Sequence, residues 1–211
     1  MSVKTVQAKY CEWAIAIADD NSHGYSQAVR WAPDYDCSSF VISALESAGI
    51  PVKAYGATYT GNMPDALAAC GFTNVYPSVN LATCEGLKYG DILLNPVTHT
   101  EIYLFDNLMV GAHCSETGGK YGKAGDQTGQ EISVCKYKNK NFTQVWRYEK
   151  PVSISENVDK WESVALDVIR GKYGNGGERI RALLFAGYTK ADINEIQQTV
   201  NYLIRKGTIA K

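Results

Sequence analysis

Between Asp91 and Glu149 the chain breaks into five short apolar runs separated by turn-forming residues, and this cadence restricts the fold more than any other feature. DILLNP, HTEIYLF, LMVGAHC, EISVCKY and QVWRYE are too short for stable helices, and Asn, Asp, Gly and Lys residues lie between them, so each reads as a β-strand. What precedes them has a different period. Val3, Val6, Tyr10, Trp13, Ala14 and Ile17 recur at spacings of three and four, which predicts an amphipathic helix over residues 3–19. A second helix is predicted to begin near Cys37, with Phe40, Val41, Ala44, Leu45 and Ala48 on one face and Gly49 as its stop. A short third helix is expected near Pro64 to Ala69. Helices followed by an antiparallel meander define an α+β fold.

The strand cadence ends at KPVSISENV, and helical periodicity resumes beyond it. The expected organisation is a domain over residues 1–149, a linker over 150–158 and a small three-helix bundle over 159–211, with helices at about 159–171, 176–186 and 190–204. At 211 residues and 45% hydrophobic the chain suffices for one medium domain and one small one. Its formal net charge of −1 gives no electrostatic reason to expect nucleic acid or an anionic membrane as partner. No apolar run approaches the ~20 residues of a membrane span. Glu12 and Asp19-Asp20 interrupt the N-terminal helix, so it does not read as a signal peptide. Self-association has no support in the sequence.

Six cysteines, at 11, 37, 70, 84, 114 and 135, form no C-x-x-C pair and no metal-ligand spacing with the three histidines, so no metal and no cofactor is expected. One stands apart. Cys37, in DYDCSSFV, sits at a helix start, where the macrodipole and free backbone N–H groups favour a thiolate and offer a donor to an oxyanion. His99 opens a strand and has the chemistry of a general base. Tyr25, twelve residues before Cys37, carries a phenol suited to the oxyanion. Glu101 reads as a solvated carboxylate and His23 as a residue of the cleft rim. The Gly-rich segment 119–132 is either a cleft wall or a disordered surface loop. GNGGER follows a helix and lacks the Lys-Ser/Thr of a phosphate loop, so it is no nucleotide signature.

Taken together, Tyr25, the DCSSFV core at Asp36–Val41, GDILL at 90–94 and HTEIYL at 99–104 resemble the NlpC superfamily of papain-like peptidoglycan hydrolases, in the branch found in phage endolysins. The resemblance implies Cys37 as nucleophile, His99 as base and Tyr25 with the Cys37 N–H as oxyanion donors. It also implies a polar residue about twelve positions after the histidine to orient the imidazole. Gly111 stands there instead, and His113, two residues on, is the candidate replacement.

The segment VIRGKYGNGGERIRALLFAGY resembles the Cpl-seven cell-wall-binding repeat, which implies peptidoglycan as partner and Arg179, Asp167 and Tyr188 as contacts. The implied function is a phage or prophage endolysin. The context leans to an N-acetylmuramoyl-L-alanine amidase; a D-glutamyl endopeptidase is the alternative, and a non-catalytic wall-binding protein a third reading. The implied location is the host cytoplasm, then the wall once the membrane is permeabilised.

Overall fold

Helix α1 (Val3–Ala18) buries Val6, Tyr10, Cys11 and Ala14, residues of its apolar stripe. Helix α2 (Cys37–Ser47) starts where the DCSS motif dictates. The Asp36 carboxylate accepts from the Ser39 N–H at 2.7 Å, and the Ser39 hydroxyl accepts from the Asp36 N–H at 2.9 Å, closing a capping box. A cap of this kind stabilises a helix by about 1 kcal/mol. Gly49, at φ +85°, adopts the left-handed conformation that ends the segment. The computed structural model describes residues 3–149 and 154–205 of the chain, which divides after residue 151 into two units.

Helix α3 (Met63–Ala69) leads into β1 (Phe72–Asn74), followed by β2 (Ile92–Asn95), β3 (His99–Tyr103), β4 (Leu108–Ala112), β5 (Ile132–Lys136) and β6 (Gln144–Tyr148). All pairings are antiparallel, in the order β1-β6-β2-β3-β4-β5. The fold is therefore α+β, but the expected meander covers only β2 to β5. Strand β6 returns to the other side of β2, with Val145 opposite Leu93 and Trp146 opposite Ile92. That place buries both of its faces: Trp146 and Tyr148 join the helix-side core, while Val145 joins Leu93, Met109 and Phe142 on the other face. Strand β1, which its three residues hide from any periodicity, pairs outside β6.

Helices α1 and α2 pack on the face bearing Ile102 and Val110, and α2 lies against β3. Alternation along β3 then puts His99, Glu101 and Tyr103 on the opposite face from Thr100 and Ile102.

The Gly-rich segment is an ordered wall. Asp126 accepts hydrogen bonds from the N–H groups of Thr128, Gly129, Glu131 and Ile132, and buried Asp34 accepts from the N–H groups of Gly24 and Gly125. Glu131 joins this wall to the segment that precedes α2 by accepting from the Tyr25 N–H at 3.0 Å. Gly24 has no freedom to be anything larger, since a Cβ there would lie 2.0 Å from the Gly125 carbonyl oxygen.

In the second unit, α4 (Ile154–Ile169), α5 (Gly176–Phe185) and α6 (Lys190–Arg205) enclose Trp161, Ala165, Val168, Leu183, Ile196, Val200 and Leu203. Helix α4 starts at Ile154, five residues before the expected 159, and the apolar spacing of Ile154, Val158, Trp161, Ala165 and Val168 extends the helical period through that start. Of the expected linker 150–158, residues 150–153 lie outside the described residues and the rest is helix.

Candidate active site

Cys37 is the first residue of α2, where the N–H of a helix has no carbonyl one turn earlier to bond. Its side chain is buried and meets the backbone N–H of Thr100, the residue after His99. Burial, then the negative charge of Asp36, pushes the thiol up to about 11, against the pull of the Thr100 and Ser38 amides. Desolvation thus works against the helix-stabilised thiolate that the sequence led one to expect. A base is therefore required at the moment of attack.

The His99 ring is fixed on two sides. It stacks on Phe142, with centroids 6.3 Å apart and planes at 20°, and its Nε2 lies 2.7 Å from Glu101 Oε1. With Nε2 so engaged, Nδ1 is the nitrogen left to exchange a proton. Glu101 is not solvated, as the sequence suggested, but fully buried. Burial would raise its carboxyl, but hydrogen bonds from His113 and His99 and the charge of Lys140 hold it well below the usual carboxylate range. A buried carboxylate facing an imidazole has the chemistry to orient the ring, the part that the sequence left open at Gly111. The glycine is what admits it: a Cβ at Gly111 would lie 2.7 Å from Glu101 Cγ. This carboxylate comes from the strand of His99 itself, and its neighbour on β4 has no side chain to exclude it.

His113 does not hydrogen-bond His99. Its Nδ1 lies 3.2 Å from Glu101 Oε1 and its Nε2 3.1 Å from the Ser133 hydroxyl, so it acts on the carboxylate instead of on the base. Burial would lower its imidazole, but the Cys135 thiol and Glu101 outweigh this and raise it to about 9. Lys140, which the sequence gave no reason to single out, completes the cluster from the β5–β6 connection, with its Nζ 3.1 Å from His113 Nδ1. The donor atoms of His99, Glu101 and His113 lie within 4.8 Å of one another, and the Lys140 ammonium forms an ion pair with Glu101 Oε1 among them.

Tyr25 is buried near Cys37, which pushes its phenol up to about 12 and keeps the proton in place. The hydroxyl oxygen accepts from Gln27 Nε2 at 3.2 Å, leaving its own O–H to donate. A cleft of about 480 Å³ opens over Cys37, lined also by Arg30, Asp36, Tyr59, Val97 and Lys120. Lys120 comes from the Gly-rich wall, and Arg30 is held in place by Asp36, the Ser38 hydroxyl at 2.7 Å and the Thr58 carbonyl at 2.8 Å. His23 is bonded to the Pro33 carbonyl at 2.6 Å and does not line this cleft.

Residues 28–110 match the family described as Endolysin-like domain, and residues 162–204 the family described as CW_7 repeat. The chain carries an endolysin-like domain and a CW_7 repeat. Among solved structures it is similar to the peptidoglycan hydrolase RipB from Mycobacterium tuberculosis, at 20% identity over 70% of this chain and 67% of that one, with a TM-score of 0.43. No curated protein matches the chain. The endolysin-like match includes Arg30, Cys37, His99 and Glu101; Tyr25, His113 and Lys140 lie outside the matched span but in the same unit.

Within the CW_7 repeat, Arg179 spans from the loop before α5 to α6, bonding the Gly174 carbonyl at 3.3 Å and Gln197 Oε1 at 2.9 Å. Tyr188 packs edge-on to Trp161 at 5.8 Å, and Asp167 pairs with Lys172 at 2.7 Å. The three are separate features of the bundle, and Arg179 has internal partners for its guanidinium. No described helix is long and apolar enough to cross a membrane.

Proposed function

We propose that the chain is a cysteine peptidoglycan hydrolase in which Cys37 is the nucleophile, His99 the base and Glu101 the group that orients His99. The observation that carries this reading is the Cys37 thiol set against the amide of Thr100, the residue that follows His99, while Nε2 of that histidine is fixed on a buried carboxylate. The Cys37 sulfur attacks an amide carbonyl of the wall peptide as its proton passes to His99 Nδ1. The carbonyl oxygen becomes an oxyanion held by the Cys37 N–H and the Tyr25 hydroxyl. Donors of this kind lower the barrier by about 3 kcal/mol each. Collapse breaks the C–N bond, His99 gives its proton to the leaving amine, and a thioester remains. Water, deprotonated by His99, then hydrolyses the thioester and frees Cys37.

The DCSS and HT context leans toward the bond between N-acetylmuramic acid and L-alanine, with a cut after D-glutamate in the stem peptide as the alternative. The CW_7 repeat supports tethering to the wall, which makes bacterial peptidoglycan the partner of both units. The test is mass spectrometry of purified peptidoglycan digested by the full chain and by Cys37→Ala. Free stem peptides beginning at L-alanine identify the amidase, and shortened stems identify the endopeptidase. Equal digestion by Cys37→Ala would overturn the mechanism.

A further inference from the structure

Glu101 has more partners than orienting His99 requires. Its Oε1 takes His99 Nε2 at 2.7 Å, His113 Nδ1 at 3.2 Å and Lys140 Nζ at 2.5 Å, while Oε2 is buried with no partner. Two imidazoles and a carboxylate converging in this way form a donor set typical of divalent transition metals. The Lys140 ammonium lies 2.5, 3.1 and 3.4 Å from those same three residues, at the point of convergence. We infer that Lys140 is the resident cation of this cluster, a built-in substitute for a metal ion that fixes Glu101 and, through it, the ring of His99.

Two observations support delivery of this charge by the fold. A fully buried carboxylate without compensating positive charge costs several kcal/mol, and of the groups around Glu101 the Lys140 ammonium, nearer to Oε1 than the raised His113 imidazole, is the one whose charge does not depend on a proton taken from Glu101 or the solvent near neutral pH. The segment that brings Lys140 is also anchored at several points: Tyr137 N–H donates to the Asn107 carbonyl at 2.6 Å, Phe142 N–H to Asn139 Oδ1 at 3.1 Å, and Asn95 Nδ2 to the Asn141 carbonyl at 2.7 Å. The same segment supplies Phe142, which stacks on His99, so one loop sets both the face and the electrostatics of the base. Lys140 is a positioning residue: it acts on the reaction through Glu101 and His99 and does not line the cleft over Cys37.

This inference rests on His99 as base, so its test has an arm that does not depend on hydrolysis. In the first arm, initial rates of peptidoglycan solubilisation are measured against substrate concentration for the full chain, Lys140→Met and Lys140→Arg. Lys140→Met keeps most of the stem but not the charge, and is expected to lower kcat about tenfold or more with KM within about twofold, a loss on the scale of a misplaced general base. Lys140→Arg is expected to recover most of the rate. In the second arm, cobalt(II) chloride is titrated into the full chain, Lys140→Ala and Lys140→Ala/His113→Ala, and d–d absorption is read. Lys140→Ala is expected to take up one cobalt ion, and the wild type and the double variant none. Wild-type rates in Lys140→Met, no recovery in Lys140→Arg, or cobalt uptake by the wild type equal to that of Lys140→Ala would each overturn the inference. Full activity in Glu101→Gln would instead sink the orienting role of Glu101 and leave the cobalt result standing by itself.

Discussion

Gly111 is the residue at which the reading of the site turns. It looks like a missing catalytic group, yet the absent side chain is the condition for Glu101 to occupy the space beside His99. Gly111→Ala should therefore be far more harmful to activity than to the fold. The added methyl, 2.7 Å from Glu101 Cγ, displaces the carboxylate, and the peptidoglycan solubilisation rate should fall about tenfold or more, as expected when a catalytic group is misplaced by about an ångström. An unchanged rate would show that His99 does not depend on the position of Glu101. The Cys37 thiol carries a second prediction. Because burial and Asp36 push it up to about 11, inactivation by iodoacetamide should accelerate about tenfold per pH unit from pH 7 to pH 10, following the thiolate fraction. Peptide mapping separates Cys37 from exposed Cys114. A rate already at its plateau below pH 7 would mean a resting thiolate–imidazolium pair. Glu101 itself was legible as a strand residue two positions from His99, but not as a buried one: whether a carboxylate meets water or two imidazoles depends on β4 and the β5–β6 connection.

At the scale of elements, α2 joins folding to chemistry through Asp36. The carboxylate caps the helix that presents Cys37 and also holds Arg30 in the cleft, with Nη2 to Oδ1 at 3.2 Å. Asp36→Ala should cost about 1–2 kcal/mol of stability, the scale of a lost N-cap with a partly buried ion pair, read as a lower midpoint in urea. It should also remove one of the negative charges that raise the Cys37 thiol, so the iodoacetamide profile of this variant should shift to lower pH. No change in either would leave the capping box without the weight given to it here. The helices of this unit were legible because their apolar spacing is long and regular. Strands were legible as segments, but β6 had to choose between two edges of the sheet, and that choice rests on burying Trp146 and Val145 on opposite faces.

For the whole molecule, every residue assigned to the chemistry lies before residue 151, and the CW_7 repeat has its own core around Trp161 and Leu183. A chain ending at Glu149 should hydrolyse soluble wall fragments at about the rate of the full chain and lyse intact cells more slowly, because a binding unit raises local concentration at the wall without touching the bond that breaks. Arg179→Ala should weaken sedimentation of the full chain with peptidoglycan, either through a lost contact or through a loosened α5–α6 clamp; circular dichroism separates the two, since only the second lowers the melting of the repeat. Equal lysis by the truncated and full chains would remove the tether role. The sequence by itself determined the helices, the strand segments, the capped start of α2 and the pairing of Cys37 with His99 as candidates, because local period, turn chemistry and motif spacing are properties of neighbouring residues. The tertiary structure alone decided that Glu101 is buried, that Gly111 makes room for it, that β6 crosses the sheet and that Lys140 reaches the cluster. Those outcomes depend on desolvation and close approach between residues far apart in the chain, which no local pattern encodes.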